Sequence, residues 1–293
     1  MSSSDTRILI DCGFPLREII KRLARLGLSP AQLDAILVTH EHADHIHGVE
    51  LLARHYQIPV YLSAGTLSGM RRPVLPAELL RAGQRLAIRG LEVQVVGVSH
   101  DAREPTQFVL TDGQRRFGML TDLGMATAEV LECYRAVDAL VVEANHDSTM
   151  LAGGPYPYFL KARVGGPRGH LNNHQSAELV KQLDWRRMQH LVLAHLSEKN
   201  NSPQLANLRR HPRVRSGLAA GGRSAFRPGL ARDRLGPITR KRSPSWKNAK
   251  NSTAARPSRF TGPTMPTVSS CCSATTPPPS MASASSSSIA KAR

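Results

Sequence analysis

Apolar positions along residues 6–206 fall into two alternating patterns, and the alternation predicts an α/β chain. TRILIDCG (6–13), LDAILVTH (33–40) and IPVYLS (58–63) are short apolar runs rich in β-branched residues, each read as a buried strand. Between them, PLREIIKRLARLGL (15–28) and VELLARHY (49–56) carry apolar residues at helical spacing, the first closing at Gly27. A second group of strands follows in QRLAI (84–88), LEVQVVGVSH (91–100), TQFVLTDG (106–113), RRFGMLTD (115–122) and DALVVEAN (138–145). The pattern closes with a helix at SAELVKQL (176–183) and a strand at MQHLVLAHLS (188–197). Several of these strands end on a polar or metal-type residue: His40, His100, Asp122, Asn145 and His195. Chemistry-bearing residues gathered at strand ends of an α/β chain converge on one cleft.

Composition narrows the class. The chain has 293 residues, 41% of them apolar, enough for a sizeable core. No uninterrupted apolar run is long enough to span a bilayer, and no charged-then-apolar leader opens the sequence. Cys12, Cys133, Cys271 and Cys272 form no CxxC pair and no disulfide framework, so a reduced cytoplasm is the expected compartment. The formal charge of +17 suggests nucleic-acid binding until it is located. Residues 201–293 carry 17 Lys and Arg against one acid, Asp233, leaving residues 1–200 with 22 basic and 21 acidic side chains. The basic character belongs to the tail and says nothing about the body.

The dense stretch is THEHADHIHG (39–48), with His40, His42, Asp44 and His45 inside six positions. Four such donors cannot share one ion without strain. On an extended segment His40 and His42 point to the same side, and a following turn can aim Asp44 and His45 at a second position. A hydrolytic site needs about three protein ligands per ion and an open place for water. His100, Asp122 and His195 are available for this. His40, His42 and His100 then suit one ion, Asp44, His45 and His195 the other, and the Asp122 carboxylate can bridge the two. The nitrogen- and oxygen-rich set points to two divalent ions, Zn²⁺ first, with Mn²⁺ or Fe²⁺ also admitted.

HxHxDH followed by isolated His, Asp and His at strand ends resembles the metallo-β-lactamase superfamily. ILIDCG, THEHADHIHGV, VSHDA, GMLTDLG, VVEANHD, GHLNNHQSA and LAHLSEKNNSP, in that order across residues 6–206, are similar to the YycJ/WalJ branch of single-domain hydrolases. The resemblance implies an αββα four-layer sandwich, a two-metal centre, and hydrolysis of phosphodiester bonds in nucleic acid or a small phosphodiester, with exonuclease action attributed to some members. The expected mechanism is attack by a hydroxide bridging the two ions, with Asp44 and Asp122 at the reacting centre. His170, in GHLNN, matches a histidine that in related phosphodiesterases touches the scissile phosphate or protonates the leaving oxygen. A helix-capping loop is the other account of that stretch, and Asn172 stands where the family usually has serine. Arg163, Lys161 and Asn172 are candidate substrate contacts, and Asn145 and His146 candidate orienting residues. Thioester or lactone hydrolysis is the rival activity on this fold, and the VSHDA, EANHD and GHLNN words argue against it.

Both ends depart from the family pattern. Only MSSSDT precedes ILIDCG, and after NNSPQLA the expected helix and last strand give way to a Ser-, Pro-, Arg- and Ala-rich stretch. We therefore expect a hydrolase domain over residues 1–206 that lacks its first and last strands, followed by a low-complexity, disordered tail over 207–293. Codons for WKNAKNSTAA (246–255) can also be read one base earlier as MEKRKELYRG, which is similar to the opening of SAICAR synthetase. The tail then reads as out-of-frame translation beginning near residue 206. The alternatives are an ordinary basic arm that binds nucleic acid electrostatically and a damaged, inactive product.

Overall fold

The computed structural model describes residues 6–206. The expectations about absent flanking strands and about the 207–293 tail lie outside these residues. Strands β1 (Ile8–Ile10), β2 (Ala35–Leu37), β3 (Val60–Ser63) and β4 (Glu78–Leu80) form a parallel sheet in the order β1-β2-β3-β4. Six further strands, β5 (Arg85–Ile88), β6 (Leu91–Gly97), β7 (Thr106–Thr111), β8 (Arg116–Leu120), β9 (Ala139–Glu143) and β10 (His190–Ala194), form a second sheet. Its pairing is antiparallel from β5 to β8 and parallel from β8 through β9 to β10.

The two-residue side-chain period builds four layers from these strands. In β2, Ala35 and Leu37 face the second sheet, where Val93, Val95, Phe108 and Leu110 meet them. Ile36 faces the opposite way, against helices α1 (Leu16–Arg25) and α3 (Val49–Tyr56) through Ile19, Leu23 and Leu52. On the far side of the second sheet, Leu140 and Val142 of β9 pack on α5 (Ala128–Tyr134) and α8 (Asn173–Lys181) through Val130, Tyr134, Leu179 and Val180. The result is helices, sheet, sheet, helices: the αββα sandwich expected. Each fully buried Leu, Val or Phe contributes roughly 1.5–3 kcal/mol, so these three apolar layers drive the fold.

Local signals behave as their chemistry dictates. α1 buries Ile19 and Leu23 one turn apart and stops where Gly27 takes φ 73°, a left-handed turn that glycine adopts without a Cβ penalty. Strands end earlier than the apolar runs suggest. β6 leaves its ladder at Gly97, and residues 98–100 turn to carry His100 out of the sheet. Five short helices and one strand go unassigned by the sequence pattern: α2 (Ala43–Ile46), α4 (Ala64–Gly69), α5, α6 (Ser148–Gly153), α7 (Tyr158–Val164) and β4. Most are too short to show a period. α4, α5 and α6 are held by side-chain caps from Ser63, Thr127 and Asp147. No helix among the described residues is long and apolar enough to cross a membrane.

Candidate metal centre

The residues singled out by the sequence lie at the ends of β2, β6, β8 and β10 and on α2, and those ends open on one cleft. Its volume is about 460 Å³, and His42, Asp44, His100, Asp122, His170 and His195 line it. α2 separates its two donors by environment, leaving Asp44 exposed and His45 buried. The loop after β1 passes so close to α2 that a Cβ on Gly13 would lie 1.6 Å from the Asp44 carbonyl oxygen. Only glycine fits there. Asp11, Asp122 and His195 follow β1, β8 and β10 with φ of 57°, 55° and 55°. A non-glycine residue in this region costs on the order of 1–3 kcal/mol, and here the cost is met by specific contacts at the site. The Asp11 amide donates to Leu37 O, the Asp122 amide to Glu143 Oε2, and Asn145 Nδ2 donates to the His195 carbonyl.

Hydrogen bonds determine which imidazole nitrogens are free. Thr39 Oγ1 donates to Asp11 Oδ2 at 2.9 Å and so accepts from His40 Nδ1 at 2.9 Å. His100 Nδ1 donates to the Gly169 carbonyl at 3.1 Å. Nε2 of both rings is therefore a bare lone pair, and both face His42 Nδ1, at 2.9 and 3.4 Å. On the other side, His45 Nδ1 donates to Asp11 Oδ2 at 2.8 Å and His195 Nδ1 to Glu143 Oε2 at 3.2 Å. Their Nε2 atoms turn inward, 3.4 Å from Asp122 Oδ2 and 3.7 Å from Asp122 Oδ1 respectively. Asp44 Oδ2 lies 3.6 Å from His45 Nε2.

Donor atoms of His40, His42 and His100 lie within 4.8 Å of one another, as do those of Asp44, His45 and His195, with Asp122 grouped with His40 and His45. Asp122 is 2% exposed, and its Oδ2 makes no hydrogen bond among the described residues. A buried carboxylate ringed by imidazole nitrogens is costly unless positive charge neutralises it, supplied by a metal ion or, without one, by the protons on His45 and His195. The donor set therefore fits divalent metal.

Proton affinities follow from the same contacts. Burial pushes His40 down to about 2, with His45 and the neighbouring rings adding to the effect. Burial also lowers His100. For His45, burial is outweighed by the Asp11 hydrogen bond and charge, which hold it at about 9. His195 is likewise held at about 9 against burial, by the Asp122 charge and the Glu143 hydrogen bond. Burial opposes ionisation of Asp122, but the charges of His195, His45 and their neighbours keep its carboxyl below the usual range.

Two residues central to this network, Asp11 and Glu143, are not among the sequence candidates. Glu143, 0% exposed, accepts from the amides of Asp122, Leu123 and Leu171 at 3.1, 2.9 and 2.8 Å and from Nδ1 of both His170 and His195 at 3.2 Å. One carboxylate thus ties the loops after β8 and β10 to the loop between α7 and α8. Its sequence signal was a carboxylate directly after the apolar run ALVV within DALVVEAN, whereas Asp122 stands one residue further beyond its own run, GML. Asp11, in ILIDCG, carried that signal too.

The other candidates separate clearly. His170 lines the cleft, and its Nε2 has no hydrogen-bond partner among the described residues. Arg163 lines the cleft and pairs with Asp101. Lys161 turns away to donate to the Ala152 carbonyl. Asn172 does not line the cleft. It caps α8 in a reciprocal box with Gln175, as the helix-capping account of this loop has it. Asn145 orients His195, whereas His146 is buried with Nδ1 unpartnered among the described residues.

The two-sheet sandwich and the strand-end donors define a class. Residues 6–196 match the Beta-lactamase superfamily domain, and the chain belongs to that family as a hydrolase of the metallo-β-lactamase fold. It is 33% identical over 215 residues to the exodeoxyribonuclease WalJ of Streptococcus pneumoniae serotype 2 (strain D39 / NCTC 7466), covering 71% of this chain and 80% of that one. It is 32% identical over 213 residues to the exodeoxyribonuclease YycJ of Bacillus anthracis, covering 71% and 81%. Among solved structures, Zn²⁺-bound PqqB from Methylobacterium extorquens superposes with a TM-score of 0.54 at 18% identity, covering 70% of this chain and 77% of that one. A diphosphatase of the PhnP family superposes at 0.53 and 21%, covering 73% and 77%. At these identities the two structures speak for the fold alone.

Proposed function

We propose that this chain is a two-metal phosphodiesterase that hydrolyses DNA from a strand end, as the relatives named exodeoxyribonucleases suggest. The observation that carries the reading is the set of inward-facing imidazole nitrogens closing on the two oxygens of buried Asp122. His40, His42 and His100 would hold one ion, Asp44, His45 and His195 the other, and Asp122 both, with Zn²⁺ the first candidate and Mn²⁺ or Fe²⁺ suited to the same donors. Two divalent ions held there supply Lewis acidity at the phosphoryl oxygens and acidify water to near neutrality.

The chain's own residues do the rest. Asp11, Thr39, Gly169 and Glu143 hold four of the rings with Nε2 inward, so the donors are aligned before any ligand arrives. Exposed Asp44 stands at the mouth, where its second oxygen can orient water. His170, its Nδ1 proton directed at Glu143, presents Nε2 to the cleft; as imidazolium it can pass the Nε2 proton to a departing oxygen and remain neutral, its Nδ1 proton still held toward Glu143. Arg163 can hold a phosphate at the rim. The domain responsible spans residues 1–206, and the reduced cytoplasm is its compartment.

Elemental analysis of the full chain purified without added metal tests the centre, and end-labelled oligodeoxynucleotides test the reaction. About two transition-metal ions per chain and stepwise shortening from one end, both lost in Asp122→Ala, are the expected results. Negligible metal in the folded protein, or hydrolysis of a thioester or lactone with DNA untouched, overturns the proposal.

A further inference from the structure

The stretch LAHLSEKNNSP carries the chain out of β10 to Asn201, a side chain 6% exposed that does not line the cleft. Its Nδ2 donates to the carbonyls of Ala144 and Asn145 at 2.7 and 3.2 Å and to Asn173 Oδ1 at 2.8 Å. Its Oδ1 accepts from the Ser202 amide at 2.9 Å and from Asn173 Nδ2 at 3.0 Å. Backbone acceptors at one end and a backbone donor at the other fix which end of the side-chain amide is nitrogen. Asn201 and Asn173 thus exchange hydrogen bonds as a reciprocal pair. An asparagine that merely closed its own loop would bond within that loop. Four of these five bonds leave it, for residues 144, 145 and 173.

Those residues carry the site. β9 runs on into residues 144–146, which are tied on both sides. The Ala144 amide donates to the Ala194 carbonyl at 3.1 Å and the Ser197 amide to the Asn145 carbonyl at 2.8 Å, joining the segment to the turn that bears His195. The Asn145 amide donates to the Leu171 carbonyl at 3.0 Å and the Asn173 amide to the His146 carbonyl at 2.9 Å, joining it to the stretch that bears His170. The two rings lie 5.2 Å apart, centroid to centroid. Glu143 receives both Nδ1 protons and so orients the rings, but the relative position of the two backbones is set by what spans them. Asn201 spans them. His195 stands in the left-handed region at φ 55°, a conformation that persists where surrounding contacts over-determine it. Asn201 reinforces those contacts through Asn145, whose Nδ2 holds the His195 carbonyl at 3.1 Å.

We propose that Asn201 is a positioning residue that sets His170 against His195, its bonds to the 144 and 145 carbonyls holding the His195 turn and its pairing with Asn173 holding the His170 loop. The proposal rests on the phosphodiesterase reading above and adds to it the residue that couples the metal-binding and proton-donating halves of the site.

The test uses the full chain, with Leu23→Ala, a cavity in the α1 layer, as the control for lost stability alone. Zn²⁺ titration of the metal-stripped protein reads the affinities of the two ions. Single-turnover rates of the metal-loaded protein read the ratio between an oligodeoxynucleotide, whose leaving alkoxide needs a proton, and methyl p-nitrophenyl phosphate, whose p-nitrophenolate does not. In Asn201→Ala one ion binds about ten-fold more weakly, and the rate ratio falls about ten-fold or more, as it does in His170→Ala. Asn173→Ala lowers the ratio and spares both affinities, and Leu23→Ala changes neither readout. Asn201→Ala that behaves as Leu23→Ala, or that weakens metal with the ratio held, overturns the proposal. Should Asn201→Ala not fold, an unchanged ratio in Asn173→Ala overturns it. If the wild-type chain hydrolyses neither substrate, or His170→Ala keeps the wild-type ratio, the phosphodiesterase reading fails instead, and amide hydrogen exchange decides the positioning. The Ser197 and Asn173 amides then exchange faster together in Asn201→Ala than in Leu23→Ala, and equal rates overturn the proposal.

Discussion

Replacing Glu143 by glutamine removes a single oxygen and disturbs the centre from behind. The carboxylate accepts five hydrogen bonds in a site with no access to water. A glutamine amide has one acceptor oxygen and an NH₂ group that can only donate. With its oxygen kept toward Leu123 and Leu171, the NH₂ faces the Asp122 amide and the Nδ1 protons of His170 and His195. The Asp122 amide is then orphaned at about 1–3 kcal/mol, and both imidazoles lose the partner that holds their Nδ1 protons. The opposite orientation orphans two backbone amides and is worse. A total near 3 kcal/mol lowers the melting temperature of a domain of this size by about 6–12 °C. There is a second consequence that a purely structural role would not produce. His195 loses its reason to carry the proton on Nδ1, and the tautomer with Nε2 protonated points a hydrogen at Asp122 where a ligand lone pair stood. Loss of such an orienting partner costs about 10–100-fold in metal affinity. Thermal denaturation of the metal-stripped protein, followed by a metal titration, reads the two effects separately. Wild-type melting together with wild-type metal affinity in Glu143→Gln would refute the account of this carboxylate.

Two further outcomes follow from the same geometry. The metal-stripped chain should lose stability between about pH 6.5 and 9. His45 and His195 are held at about 9, so their stabilisation is complete below the unfolded value of about 6.5 and disappears as pH rises through 9. His40, pushed down to about 2, acts oppositely by taking up a proton only in the unfolded chain as pH falls below 6.5, so urea midpoints should peak near pH 6–7. A midpoint that climbs from pH 6.5 to 9 contradicts this assignment. Gly13→Ala drives a Cβ into the Asp44 backbone, forcing apart the β1 loop and α2. Several kcal/mol of lost stability and a metal content well below that of wild type are expected, and a variant with normal melting and full metal content would show that the loop can yield.

Residues 6–206 disclosed their class without coordinates because the signals of class are local. A period of two marks strands, a period of 3.6 marks helices, and His40, His42, Asp44 and His45 lie within six residues of each other. His100, Asp122 and His195 were legible for a related reason, since a polar residue closing an apolar run must leave the sheet, and in an α/β sandwich it leaves toward the cleft. What the local pattern could not convey is pairing across distance. Glu143 reaches His170 at 27 residues' separation and His195 at 52, and Asp11 reaches Thr39 at 28. Those contacts, which determine the nitrogen each imidazole offers and where its proton resides, exist only once β1 has paired with β2 and β9 with β10, and the 165–172 loop has closed on the end of β9. Asn172 shows the converse, a residue at a suggestive place whose side chain is taken up in capping α8. α7 is the plainest case of all. Seven residues show too little period to announce a helix, and nothing in PYPYFLKARV says that Leu160, Arg163 and Val164 line the cleft while the Tyr158 and Phe159 rings stand exposed, because exposure is decided by what the rest of the chain leaves uncovered.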